Sequence, residues 1–149
     1  MSRMKAAFER LRFLCALRPP GRRLVVEAAV CMEGTRLVVH LVPLKHLKAV
    51  PALFGGRLFR GEPHEVEDVV RALDLAGSLF PGGKTCLVRA IAAQAMLSRH
   101  GHPSLVRIGV AGSDSGGIEA HAWVEYGGRA IVGGYDLERY RVITSLPAG

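Results

Sequence analysis

Cys86 and His121 are the residues of this chain whose types and settings suit covalent chemistry. Cys86 stands in Pro-Gly-Gly-Lys-Thr-Cys-Leu-Val-Arg-Ala at the head of an apolar periodic stretch, and His121 in Glu-Ala-His-Ala-Trp-Val-Glu-Tyr-Gly-Gly. The thiolate is the reactive form of cysteine, and the unpaired amides and dipole of a helix start favour negative charge there. A histidine fixed on a strand can take the thiol proton and later return it to a leaving amine. The pair reads as two halves of a nucleophile site. Trp123, two residues beyond His121 on the same strand face, is expected either to wall the cleft or to be ordinary core. Thr85, just before the cysteine, is the expected N-cap and a candidate substrate contact.

These side chains need elements to hold them. Met4 to Leu17 has helical spacing, and Pro19-Pro20-Gly21 is expected to stop it. Arg22 to about Val42 reads as a second, buried helix with an interruption expected near Gly34, followed by Pro43, a short helical turn around Leu44 to Leu53, and a loop at Gly55-Gly56. From Pro63, Val66, Val69, Val70, Leu73, Ala76 and Phe80 recur at three and four residues opposite Glu65, Glu67, Asp68, Arg71 and Asp74, which predicts an amphipathic helix. Pro81-Gly82-Gly83 breaks it. Cys86 to Arg99 then forms the next helix, closed by Gly101 and Pro103, with the cysteine in its first turn. Leu105 to Ala111 reads as a strand. Glu119 to Tyr126 and Arg129 to Val132 form a hairpin around Gly127-Gly128. Helices first and an antiparallel sheet last make an α+β fold.

The 149 residues fit one domain, with residues 1–80 as mainly helical scaffold and 81–149 as catalytic helix and sheet. The composition, 49% hydrophobic and 22% charged, is that of a globular chain and excludes a disordered one. A net charge of +7 suits an anionic partner, although solubility alone also accounts for it, and no nucleic-acid role is assigned. Cys15, Cys31 and Cys86 form no Cys-x-x-Cys, which excludes a disulfide framework and a cysteine zinc site; a reducing cytoplasm is expected. Phe13 to Leu17 is too short for a signal-peptide core, and Glu27, Glu33, Arg36 and His40 break Leu24 to Leu44, so no secretion or membrane span is implied.

The order of nucleophile at a helix start, strand, loop and histidine-bearing strand is similar to that of papain-like and transglutaminase-like cysteine enzymes. Thr85 to Tyr140 resembles the transglutaminase-like proteases of lasso-peptide biosynthesis, the leader peptidases also found as the C-terminal half of the microcin maturation protein. Cys86-Leu-Val-Arg-Ala, the strand ending Ile-Gly-Val, and Glu119-Ala-His-Ala-Trp-Val-Glu carry the likeness. The resemblance implies a helical N-terminal half packed on a small antiparallel sheet. It implies that Cys86 is the nucleophile and His121 its base and acid, removing the leader from a ribosomally made precursor peptide without a cofactor. A small leader-binding protein and an ATP-dependent macrolactam cyclase are the implied partners. The alternatives are a transglutaminase-like acyltransferase and a catalytically silent basic binding module. The family's aspartate, about twelve residues after the histidine, falls here on Gly133. If Tyr126 and Arg129 flank a two-residue turn, His121 lies opposite Gly134, and Asp136 follows on the same face as the candidate orienter. A backbone carbonyl, a water, or no third group are the other options.

Other residues read plainly. Cys15 and Cys31 are expected in the core. His100 and His102 are expected in a solvated turn, with no metal bound. Gly82-Gly83-Lys84-Thr85 resembles the end of a phosphate loop but lacks its first glycine, so no nucleotide site is expected.

Overall fold

The structure, a computed structural model, describes residues 2–43, 46, 62–79 and 85–148. The expected helical turn over Leu44 to Leu53, the loop at Gly55-Gly56 and the break at Pro81-Gly82-Gly83 lie outside these residues, His46 apart.

Helix α1 spans Ser2–Ala16 and α2 spans Pro19–Leu41. The proline pair does not terminate the first helix so much as begin the second. Proline fits a first helical turn because its missing N–H would have no partner there and its φ is already helical. Arg18, at φ −57° and ψ 147°, makes the corner between the two. Helix α2 also runs unbroken past Gly34. A mid-helix glycine costs only about 1 kcal/mol, and Ala28, Cys31, Met32 and Thr35 are buried on either side of it. Cys15, expected inside, is exposed, while Cys31 is buried as expected.

Helix α3 spans Val66–Leu79 and buries Val66, Val69, Leu73 and Ala76 of the predicted stripe, together with Leu79; Val70 is half-buried and Phe80 lies outside the described residues. Helix α4 spans Cys86–Arg99. Its alanines Ala90, Ala92, Ala93 and Ala95 are wholly buried, and such short side chains let α2 and the sheet approach closely. Gln94 is buried with them, and its amide nitrogen donates to the carbonyls of Ser104 at 3.1 Å and Leu146 at 2.6 Å. That pins the helix to the sheet. The helix ends at His100, followed by Gly101 at φ +87°, with the amide of His102 returning to the carbonyl of Leu97 at 2.8 Å.

Four strands follow: β1 (Leu105–Gly112), β2 (Ile118–Tyr126), β3 (Arg129–Val132) and β4 (Arg141–Pro147), antiparallel in the order β3-β2-β1-β4. The architecture is α+β, as the pattern of elements predicts. Strand β1 is paired on both sides, so the Leu105 strand offers no free edge. The hairpin turn uses Gly127 and Gly128 at φ +57° and +76°, the left-handed pair that a two-residue turn requires. Side chains alternate across a strand. Val106, Ala122, Val124, Val132 and Leu146 join the helices in one buried cluster, which leaves His121 and Trp123 on the other face of the sheet. Among the described residues no helix is long and apolar enough to cross a membrane.

Candidate functional site

Cys86 opens α4, and Thr85 caps it. The Thr85 hydroxyl oxygen accepts from the amide of Val88 at 3.3 Å, and the Thr85 carbonyl accepts from the amide of Arg89 at 3.1 Å. Of the four amides that a helix start leaves over, from Thr85 to Val88, the cap takes up that of Val88, and those of Cys86 and Leu87 have no hydrogen-bond partner among the described residues. Thr85 thus has a structural task at the position where a substrate contact was expected. Cys86 is half-buried, and its Sγ lies 3.9 Å from the main-chain oxygen of Ala120, the residue before His121.

His121 is buried, and its Nε2 lies 2.8 Å from the carbonyl oxygen of Gly133. A carbonyl only accepts, so Nε2 carries the proton in this bond and the neutral ring keeps its lone pair on Nδ1. Around the ring stand Trp123, stacked at 6.1 Å and 22°, with Tyr135 at 4.8 Å and Tyr140 at 5.0 Å. Trp123 is 3% exposed, so it backs the imidazole, whereas Tyr135 is 63% exposed beside the same ring. The indole N–H donates to Glu125 Oε1 at 3.0 Å, and Arg107 bonds the other oxygen of that carboxylate at 3.0 Å. Partial burial alone would raise the Glu125 pKa, but these two bonds and the Arg107 charge hold it below the ordinary carboxylate value.

Thiol and imidazole approach one edge of β2 from opposite faces. The Ala122 carbonyl points toward β3, since a Cβ on Gly133 would stand 3.0 Å from its oxygen. Carbonyls two residues apart on a strand point the same way, so that of Ala120 projects past Val132, where β3 has ended. The sulfur sits on that oxygen. Thiol and imidazole are not hydrogen-bonded to each other; each holds main chain at this edge.

No hydrogen bond joins Asp136 to the imidazole, whose Nε2 is on the Gly133 carbonyl. The expected register continued the hairpin without a fault, but Tyr126 pairs Arg129 and Glu125 pairs Ala130, whereas Val124 pairs Val132. That bulge adds a residue, Gly133 at φ +70° ends the strand, and Asp136 falls at φ +50° before a 3-10 turn over Leu137–Arg139. Its side chain is exposed and caps nothing. The residues that sequence reading missed around His121 are Tyr135, Tyr140 and Glu119. The Tyr140 hydroxyl donates to Glu119 Oε1 at 2.9 Å and Arg139 pairs with the same carboxylate at 3.4 Å, and the bond to Glu119, with burial, raises the Tyr140 pKa. Glu119 was readable, two residues before the histidine on one strand face.

A family model described as the transglutaminase-like superfamily matches residues 57–145, more than half of the chain. The chain belongs to the transglutaminase-like superfamily. The match takes in Cys86, His121, the strands as far as most of β4, and α3, and leaves α1 and α2 outside. Neither a curated protein nor a solved structure matches the chain. The chemistry common to the superfamily's cysteine proteases and acyltransferases is acyl transfer through a thioester, and a thiol at a helix start with a strand histidine at the same edge suits it.

His100 and His102 do not form the expected solvated turn. His100 is buried with Nε2 3.5 Å from Glu27, and His102 lies between the His64 carbonyl at 2.8 Å and the Tyr126 hydroxyl at 3.4 Å. Among the described residues no group of three or more His, Cys, Asp or Glu is placed to hold a metal ion.

Proposed function

We propose that this transglutaminase-like protein is a cysteine peptidase that removes the leader from a ribosomally made lasso-peptide precursor. The observation that carries the reading is Cys86 as first residue of the capped helix α4, its sulfur on the carbonyl of the residue before His121. The motif around each residue, Cys86-Leu-Val-Arg-Ala and Glu119-Ala-His-Ala-Trp-Val-Glu, supports the narrower assignment to leader peptidases.

In this mechanism the thiol leaves the Ala120 carbonyl and passes its proton to Nδ1 of His121. The sulfur then bonds the scissile carbonyl carbon. Negative charge on the tetrahedral oxygen is met by the amides of Cys86 and Leu87 at the helix start. The C–N bond breaks as His121 returns the proton to the departing amine, leaving a thioester on Cys86. Water, giving its proton to His121, attacks the thioester and frees the leader acid and the thiol. A cytoplasmic setting keeps the thiol reduced.

As the resemblance implies, a small leader-binding protein presents the precursor and an ATP-dependent cyclase uses the freed amine. Purified protein is incubated with a precursor, with and without that partner, and products are weighed. Cleavage at one site, faster with the partner and absent in Cys86→Ala, is expected. Transfer of the acyl group to an added amine without hydrolysis would make the protein an acyltransferase. An unreactive Cys86 would leave only a binding module.

A further inference from the structure

We infer that the main-chain carbonyl of Gly133 holds His121 in this chain where a carboxylate would otherwise do so, which makes Gly133 the positioning residue of the site. The inference rests on the reading of His121 as the base. The bulge between the Val124 and Glu125 pairings lengthens the return strand by one residue, so Gly133, not a strand side chain, arrives beneath the ring. At φ +70° its carbonyl turns onto Nε2 at 2.8 Å. This conformation is one that L side chains rarely adopt. A Cβ at Gly133 would also stand 3.0 Å from the Ala122 oxygen and 3.5 Å from Nε2 itself. The position therefore demands glycine twice, for its backbone and for its missing side chain.

Of the described carboxylates in this region, none is hydrogen-bonded to the ring. Glu119 is held by the Tyr140 hydroxyl and Arg139, Glu125 by Trp123 and Arg107, and Asp136 is exposed at the start of the 3-10 turn. A carbonyl differs from a carboxylate in being neutral and in taking up no proton as pH falls. It fixes the tautomer, with N–H at Nε2 and the lone pair at Nδ1, without adding charge to the site.

The test reads the ring directly. Nitrogen-15 correlation spectra of the wild-type protein, with the His121 signals assigned by their loss in His121→Gln, are expected to show the Nε2–H tautomer in the neutral ring. Gly133→Ala should mix the tautomers and lower kcat on the order of a hundredfold with little change in KM, while Asp136→Asn should change neither. An Nδ1–H tautomer in the wild type overturns the inference, as does an Asp136→Asn variant that alters the tautomer or loses kcat as Gly133→Ala does. An unaffected Gly133→Ala removes Gly133 from the role. Because the wild-type spectrum needs no substrate, an Nε2–H ring in a protein that cleaves nothing would sink the peptidase reading and leave the tautomer assignment standing.

Discussion

Gly109 on β1 is the cross-strand partner of His121 on β2, and the space over its α-carbon is filled by aromatic side chains. A Cβ there would stand 3.0 Å from Cζ3 of Trp123 and 3.0 Å from Cβ of Tyr140. The missing side chain lets the indole slide across β1, and the imidazole stacks beside that indole. The position of the candidate base is thus set partly by a residue on the neighbouring strand.

Gly109→Ala should therefore act on both stability and the site. Forcing a methyl group into a filled space costs about 1–3 kcal/mol, read as a shift in the urea midpoint. Displacing Trp123 also moves the face on which His121 rests, so cleavage should fall further than the loss of folded protein explains. Wild-type stability and activity together would show that Trp123 relaxes without moving the imidazole.

The three thiols should separate by environment. Cys31 is buried, and that burial raises its pKa above the ordinary thiol value despite the nearby Arg99. Cys15 is exposed on α1, and Cys86 is half-buried at a helix start. Iodoacetamide at neutral pH, followed by peptide mapping, should modify Cys86 first, Cys15 more slowly, and Cys31 only after unfolding. Equal rates for Cys86 and Cys15 would remove the case for an activated nucleophile.

Thr85→Ala tests whether the cap shapes that reactivity. Losing the bond to the Val88 amide should cost about 1 kcal/mol of stability and loosen the first turn of α4, where the amides of Cys86 and Leu87 lie. Alkylation of Cys86 in the folded variant should slow, while that of Cys15 stays the same. Thr85→Ser, which keeps the hydroxyl, should restore both readouts; a slow serine variant would point to the methyl group instead of the cap.

Much of this arrangement was legible in the sequence because it depends on local signals. The 3.6-residue period around Val69 and Leu73, the threonine before Cys86 and the Gly127-Gly128 turn each state their structure within a few residues. Pro19-Pro20 was ambiguous because proline disrupts a helix interior and begins a helix equally well. Strand β4 was missed: Arg141-Val-Ile-Thr lies exposed along the sheet edge, so it carries no inside-outside alternation. The third partner of His121 was hidden for another reason. A bulge shifts everything beyond it by one residue, nothing in the residue types at Ala130 and Ile131 announces it, and a carbonyl partner is the same in any amino acid.

The far end of α4 offers a prediction about pH. Arg99 forms an ion pair with Glu27 of α2, and His100 Nε2 lies 3.5 Å from the same carboxylate. Burial works to raise the Glu27 pKa, but the nearby His100 and Arg99 outweigh it and hold the group below its ordinary value of 4.5. A carboxylate with a depressed folded-state pKa stabilises the fold fully above its unfolded value, and that contribution disappears as pH falls through the folded value. Removing the charge with Glu27→Gln should cost on the order of 3 kcal/mol at neutral pH. The gap between wild type and variant should stay constant down to about pH 4.5 and close below it. Urea titrations of both proteins across that range decide the matter. A gap that persists unchanged into strong acid would mean that Glu27 holds α2 to α4 through shape and hydrogen bonding, with its charge contributing nothing.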